Sequence, residues 1–164
     1  MPTSIRPLAG SDIAPVVDLS LRAWAPVFDS FRQVLGEAVY RHLFPDWSAH
    51  QAAAVERVLR DEAMHTWVAD DDGRPVGFVS VVHHGPEYDE PNSSEIEMIA
   101  VDPADQRRGI AAELIAYAVE RMREHGAELA VIGTGGDPGH APARAAYEQA
   151  GFTPLPLVRY YKKL

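Results

Sequence analysis

Residues 95–112 read Glu-Ile-Glu-Met-Ile-Ala-Val-Asp-Pro-Ala-Asp-Gln-Arg-Arg-Gly-Ile-Ala-Ala. Glu95–Val101 alternates in the manner of a strand, closed by Asp102-Pro103. Gln106–Ala111 then opens a long helix expected over about 107–125, with Ile110, Leu114, Tyr117, Ala118 and Met122 on one stripe and Gly126 as its stop. At such a junction several backbone N–H groups lack intrahelical partners, and the helix dipole adds partial positive charge. The result is an anion site suited to a pyrophosphate. Gly109 permits close backbone approach, Ala111 is nearly as small, and Arg107 and Arg108 add mobile positive charge beside it. Taken alone, the hexamer reads equally well as an ordinary helix start with solvated arginines.

Working outward, residues 3–7 predict a short first strand, and Ser11 or Asp12 a cap for a helix carrying Pro15 in its first turn. That helix is expected to end at Pro26, with Asp29 in the turn after it. Phe31–Leu43 is a second amphipathic candidate, and a third runs from a Ser48 cap to about Glu62. His65–Asp70 and Pro75–His84, joined by Asp71-Asp72-Gly73-Arg74, predict a β-hairpin, followed by a loop over Gly85–Ser93. Leu129–Ile132 is an all-apolar strand of the kind found at a sheet centre. A Gly-rich loop (133–139), a helix over about 141–149 and two last strands around 152–155 and 157–163 complete the order. The pattern predicts a single α/β domain over residues 1–164: a mixed sheet of about six to seven strands flanked by about four to five helices.

The chain has 164 residues, 46% apolar and 24% charged, enough for one full core. Its net charge of −9 argues against nucleic acid as partner, since a phosphate-backbone binder needs basic stripes. No cysteine is present, which excludes disulfides, thiolate metal sites and a cysteine nucleophile. Met1–Asp12 lacks the apolar stretch of a signal peptide, and no run approaches the roughly 20 residues of a membrane helix. The chain is therefore expected to be cytoplasmic, with no membrane partner. There is no H-E-x-x-H and no acidic calcium loop, so no metal is expected.

The strand, the Gln106–Ala111 hexamer, the amphipathic helix and Tyr147-Glu-Gln-Ala-Gly-Phe152 occur together and in that order. In this the sequence resembles the GNAT superfamily of acyl-CoA-dependent N-acetyltransferases. The family pattern Q/R-x-x-G-x-G/A stands here as Gln106–Ala111, prefixed by Ile99-Ala100-Val101-Asp102-Pro103. Its tail, Asn-x-x-Ala-x-x-x-Tyr-Glu-x-x-Gly-Phe, matches residues 140–152 except at the first position, where His140 replaces asparagine. The correspondence covers roughly residues 75–153.

The resemblance implies acetyl-CoA as acyl donor and a primary amine as acceptor. Backbone groups of Ile99 and Val101 would pair with the pantetheine arm. Amides of Arg107, Arg108, Gly109, Ile110, Ala111 and Ala112 would hold the pyrophosphate, and His140 would take the cofactor contact of the family's asparagine. Tyr147 falls on the family's general acid, beside the thioester sulfur. Homodimers are common among such proteins, and nothing in this sequence fixes that state.

Without cysteine, direct transfer in a ternary complex is expected. A tyrosine of pKa about 10 protonating a thiolate of about 8.5 faces an uphill step of roughly 2 kcal/mol. The base is harder to assign. Glu95 and Glu97 share one face of the expected strand, and both positions carry catalytic carboxylates in some GNAT enzymes. Glu97 is the first choice, being closer to the pantetheine strand, and Glu95 the second. Full transfer from an ammonium to an ordinary glutamate would cost roughly 8 kcal/mol, against about 4.6 kcal/mol for admitting an already neutral amine at pH 7. A glutamate relaying through water, or simply holding the ammonium, therefore fits better.

Glu87, Asp89, Glu90, Glu95 and Glu97 gather carboxylates around the expected cleft, which favours a small cationic amine. Trp24, Phe28, Phe31, Tyr40, Phe44 and Trp47 could line an apolar wall, although aromatics at helical spacing mostly face inward. His83-His84 end a strand near the same cleft, where an edge pair is the plainer reading. The 133–139 loop lacks the spacing of a nucleotide loop and reads as a flexible wall of the acceptor site. Three alternatives remain: a protein or peptide lysine acetyltransferase, a non-catalytic acyl-CoA-binding module, and a nucleotide-binding domain using that glycine loop.

Overall fold

The structure is a computed structural model that describes residues 3–164. Strand β1 (Ser4–Pro7) is followed by helices α1 (Ile13–Leu35), α2 (Glu37–Leu43) and α3 (Trp47–Arg60). Next come β2 (His65–Asp71), β3 (Arg74–His83), β4 (Ser93–Val101), α4 (Ile110–His125), β5 (Leu129–Ile132) and α5 (Ala141–Gln149). The strands form one five-stranded sheet in the order β1-β2-β3-β4-β5. All neighbours are antiparallel except β4 and β5, which are parallel and joined through α4.

The alternation seen in the sequence places a core on each face. On one face Val79, Val81, Ile96 and Val101 meet Ile110, Leu114, Ala118 and Met122 of α4. On the other, Val68, Phe78 and Ala100 meet Val16 and Leu19 of α1 and Val55 and Leu59 of α3. Gly77 sits where a side chain would press on the Ala100 carbonyl at 3.0 Å and on Leu114 at 3.2 Å, so the sheet and α4 close up over a missing Cβ.

Several expectations are corrected. The first helix does not end at Pro26 but runs through it to Leu35, and Asp29 lies inside α1, exposed, rather than in a turn. Proline removes only one i→i−4 bond. Tertiary packing offsets that loss: Phe28, two residues on, stacks on Trp47 of α3 at 4.5 Å and meets Phe44 edge-on at 5.3 Å. The expected 31–43 helix is instead divided at Gly36, whose φ of 75° breaks the chain between α1 and α2. Asp46, not Ser48, caps α3 by accepting from the Ala49 N–H. Asp12 makes no cap bond to α1; its buried carboxylate accepts from Ala9 N–H at 2.7 Å and from the Arg6 guanidinium. That guanidinium also reaches Asp70 and holds Asp12 below the usual carboxylate range.

The largest difference is at the C-terminus. Neither last strand forms, and the sheet has five strands rather than six to seven. Pro154 and Pro156 each lack a ladder donor, and no strand lies beside the segment. As a consequence β5 is an edge strand, with Leu129 half exposed, and not the sheet centre its composition suggested.

Candidate active site

β4 and β5 pair only from Ser93↔Leu129 to Ile96↔Ile132. Gly133 then carries the chain off, so the two parallel strands part and leave residues 97–101 of β4 without a strand neighbour on that side. On its other edge β4 pairs with β3, Val81 opposite Ile96 and Ser80 opposite Met98. Glu97 therefore has no partner: it is the extra residue of a β-bulge, a device that re-aims a side chain.

A cleft of about 320 Å³ opens where the strands part. Glu97, Ile99 and Val101 line one wall, Trp24 and Val27 of α1 another, and His140 and Tyr147 the third. Of the predicted site residues, the fold thus gathers Glu97, Ile99, Val101, His140 and Tyr147 into one place. Gln106 lines the same cleft and donates from Nε2 to the Val101 carbonyl at 3.3 Å, which engages one of that oxygen's two lone pairs.

Beyond Gln106 lies the turn before α4, the stretch expected to hold an anion. The helix begins at Ile110, not 107. Arg107 (φ 62°) and Gly109 (φ 82°) are both left-handed, so the chain curls before the helix in the manner of a backbone nest. The first bond of the helix runs from Glu113 N–H to the Gly109 carbonyl, which leaves the amides of Ile110, Ala111 and Ala112 ahead of it. A Cβ on Gly109 would meet nothing within 4 Å, so the space over this turn is open. Side chains play a smaller part than expected. Ile110 is buried in the α4 core, and Arg108 is not mobile but held by Asp105 at 2.5 Å and Asp71 at 3.1 Å. Asp105, buried between the Arg74 and Arg108 guanidiniums, is kept below the usual carboxylate range. Arg22 does the same for Asp102 at the end of β4.

The glycine loop is likewise braced rather than loose. Ser30 of α1 donates to Asp137 Oδ2 at 2.6 Å and accepts from Gly139 N–H at 2.9 Å. Arg144 of α5 binds the carbonyls of Gly135 and Asp137. Burial works to raise the Asp137 carboxyl, but Ser30 and His140 outweigh it and leave it low. Asp137 also holds His140 through Nδ1 at 2.5 Å, so Nε2 is the ring nitrogen left for a ligand. The sequence reasoning missed this bracing, although Asp137-Pro138-Gly139 is a recognisable turn start whose aspartate accepts from Gly139 N–H.

Tyr147 reaches the cleft from α5, and burial alone pushes its hydroxyl up to about 12. Glu97 stands exposed to solvent. Glu95 does not line the cleft; it binds His84 Nε2 at 3.0 Å, and that imidazole stacks on Tyr88 at 3.7 Å. Of the expected aromatic wall only Trp24 lines the cleft, while Phe28, Phe31, Tyr40, Phe44 and Trp47 pack on one another.

The parted strands, open backbone edge and amide nest suit an extended amide-bearing chain ending in phosphates, the shape of coenzyme A. In line with this, residues 24–152 match the model of the acetyltransferase (GNAT) family. Among curated proteins, the mycothiol acetyltransferase of Rhodococcus jostii is 29% identical over 160 residues, covering 90% of this chain and 50% of that protein. The mycothiol acetyltransferase of Corynebacterium glutamicum is 30% identical over 115 residues, covering 66% of this chain and 37% of that one. The chain spans half the length or less of these relatives. Among solved structures, AAC(6')-Iy in complex with a CoA-linked bisubstrate analogue shares the fold, with TM-score 0.66 and 22% identity over 100% of this chain and 99% of that one. The PaiA N-acetyltransferase of Thermoplasma acidophilum in complex with coenzyme A gives TM-score 0.67 and 15% identity over 93% and 91%. Together with the cleft and the nest, the match over residues 24–152 shows that this chain belongs to the GNAT acetyltransferase family.

Proposed function

We infer that the protein is an N-acetyltransferase that moves an acetyl group from acetyl-CoA directly to a primary amine on a small cationic molecule. The observation that carries this reading is the single cleft walled by Glu97 and Tyr147, which continues through Gln106 toward the amide nest of α4. Ile99 and Val101 would hold the pantetheine arm by their backbone groups. The amides of Arg107 to Ala112 would take the pyrophosphate, and His140 Nε2 would supply a further hydrogen bond. Acetyl-CoA, when bound, brings the activated thioester; the chain supplies position and protons.

Tyr147, with its hydroxyl near 12, stays protonated across the physiological range. Against a thiol of about 8.5, full proton transfer from this phenol is steeper than for an ordinary tyrosine. Tyr147 therefore acts first by donating a hydrogen bond to the sulfur as negative charge develops there, and the proton follows as the thiol leaves. Glu97, exposed at the bulge, takes the amine's proton through water. With no cysteine in the chain, no acyl-enzyme on sulfur forms.

A small cationic acceptor is supported by Glu97, the carboxylate that lines the cleft; Glu87, Asp89, Glu90 and Glu95, expected around it, do not line it. Relatives and neighbours named for mycothiol and for an aminoglycoside also favour a small molecule over a protein. Calorimetric titration with acetyl-CoA and desulfo-CoA, with ATP and NAD as comparators, tests the donor; a panel of free amines and lysine peptides then tests the acceptor. Micromolar binding of the CoA compounds with acetylation of free amines is expected. Folded protein that binds no CoA would overturn the reading. A Glu97→Gln variant should lower kcat by about 10²-fold with little change in acetyl-CoA affinity.

A further inference from the structure

Asp137-Pro-Gly-His140 closes the glycine loop, and His140 is the N-cap residue of α5. That position favours a side chain that caps the helix, yet this imidazole makes no cap bond. It turns instead to Asp137, whose Oδ1 lies 2.5 Å from Nδ1. Both side chains are withdrawn from solvent, Asp137 to 8% exposure and His140 to 16%. The ring of Phe31 packs beside the imidazole at 5.6 Å.

The loop is shaped around this one bond. Asp137 Oδ2 accepts from Ser30 Oγ and from Gly139 N–H, so the carboxylate is fixed from its other side. A Cβ on Gly135 would fall 2.5 Å from His140 Nδ1 and against Asp137 Oδ1, and any side chain there would displace the pair. A Cβ on Gly139 would crowd Ser30 and Asp137 Oδ2. Two glycines of a loop without nucleotide spacing are thereby accounted for.

The direction of the bond follows from the charge. Although burial works against it, the hydrogen bonds of Ser30 and His140 keep Asp137 ionised at neutral pH, and an ionised carboxylate only accepts. Nδ1 therefore carries the proton, and in the neutral ring Nε2 holds a bare lone pair on the wall of the cleft. The asparagine of the family pattern both donates and accepts. This imidazole is set to accept alone.

Acetyl transfer has use for such a group. A primary ammonium loses one proton before it attacks, and the nitrogen holds a second surplus proton once it has bonded to the acetyl carbon. Glu97, relaying through water, serves the first loss. We propose that His140 Nε2 is a catalytic proton acceptor for the second loss and that Asp137 is its positioning residue. This role rests on the acetyl-transfer reading above. The nitrogen lone pair forms the C–N bond at the acetyl carbonyl, and the surplus proton passes to Nε2. The C–S bond breaks with its pair on sulfur, which takes the proton that Tyr147 donates. His140 is then a cation and Tyr147 a phenolate. Tyr147 stands two turns along α5 from His140 on the same cleft, so a proton carried between them by water restores both.

Nitrogen-15 NMR of the histidine-labelled full chain at pH 8, with His140 assigned by its loss in His140→Asn, should show the Nδ1–H tautomer. His140→Asn, which restores the family's residue, should keep acetyl-CoA affinity within about 2-fold and lower kcat about 10²-fold. Asp137→Asn, which keeps the shape and removes the charge, should lower kcat about 10-fold at an unchanged KM for acetyl-CoA. Added imidazole should restore part of the rate lost in His140→Ala and none of that lost in Asp137→Asn, a split that a purely structural role does not give. With CoA binding intact, an Nε2–H tautomer, a His140→Asn enzyme of wild-type kcat, a loss confined to acetyl-CoA affinity, or a His140→Ala enzyme that imidazole leaves unimproved would each overturn the proton-accepting role alone. Wild-type protein that binds no CoA compound would overturn the transferase reading and this role with it.

Discussion

The imidazoles of His83 and His125 lie face to face, 3.5 Å between centroids and 6° from parallel. His65 adds a third ring 4.9 Å from His83, and Ser94 Oγ binds His83 Nδ1 at 2.6 Å. Desolvation first, then the neighbouring His125, His65 and His84, push His83 down to about 4. A histidine that resists its proton in the fold but accepts it near 6.5 when unfolded makes the unfolded state the better proton binder between those values. Stability from this group is complete above about 6.5 and is lost as pH falls toward 4, with a slope near 1 kcal/mol per pH unit at mid-range. Urea melts at pH 7, 6, 5 and 4.5 should show this loss in the wild type and a flatter profile in His83→Gln. Parallel profiles would remove the histidine explanation. Asp12, Asp102, Asp105 and Asp137, all held low, contribute stability that is present above about 3.8 and disappears below it, equally in both proteins.

Tyr147→Phe should lower kcat by about 10²-fold while leaving the KM for acetyl-CoA nearly unchanged, as befits a hydrogen bond made mainly in the transition state. Because the hydroxyl sits near 12, it does not set the alkaline limb of the rate profile below pH 10. Steady-state rates of both proteins from pH 6 to 10 check this; an alkaline limb in the wild type that vanishes in the phenylalanine variant would contradict it.

Gly109→Ala tests the nest. At φ 82° an alanine costs about 1 kcal/mol, or roughly 2–4 °C in Tm for a chain of this size. Its methyl would occupy the open space above the turn, so acetyl-CoA affinity should fall at least about 10-fold. Calorimetry that finds the thermal cost without the binding loss would place the phosphates elsewhere.

Gly139 and Ser30 should behave unequally. A Cβ at Gly139 would stand 2.6 Å from Ser30 Cβ, on an atom fixed to the α1 backbone. Gly139→Ala is therefore expected to push the loop from α1 and cost about 2 kcal/mol, with His140 displaced from the cleft wall. Ser30→Ala removes hydrogen bonds but adds no bulk, and Gly139 N–H keeps Asp137 Oδ2 at 3.1 Å, so about 1 kcal/mol is expected. Chemical denaturation of the two variants gives the comparison, and equal costs would mean the close approach is not what fixes the loop.

The central fold could be read from the sequence wherever a local rule coincided with the tertiary answer. The hairpin around Asp72-Gly73, the stop at Gly126 and the 141–149 helix followed from turn and cap chemistry alone. Elsewhere distant packing overrode the local rule. Pro26 reads as a stop, yet Phe28 and Trp47 carry α1 past it. The apolar composition of β5 predicts a strand at the sheet centre, but it stands at the sheet edge, because strand order depends on long-range pairing that composition does not encode. Glu97 stands out in the sequence by its place along β4; that it is the bulged residue depends on pairing with β3 and cannot be read from either strand alone. The Ser30–Asp137 bond joins residues 107 apart in the chain, which no local pattern encodes.

The bulge separates two kinds of inheritance in one strand. Val81 and Ser80 are consecutive, and their partners Ile96 and Met98 would be consecutive too if Glu97 were deleted. Such a chain would keep each neighbour on its present face, so the ladder has no need of this residue. Glu97 is a passenger of the sheet and an occupant of the cleft, free to change with the chemistry while the core around it stays the same.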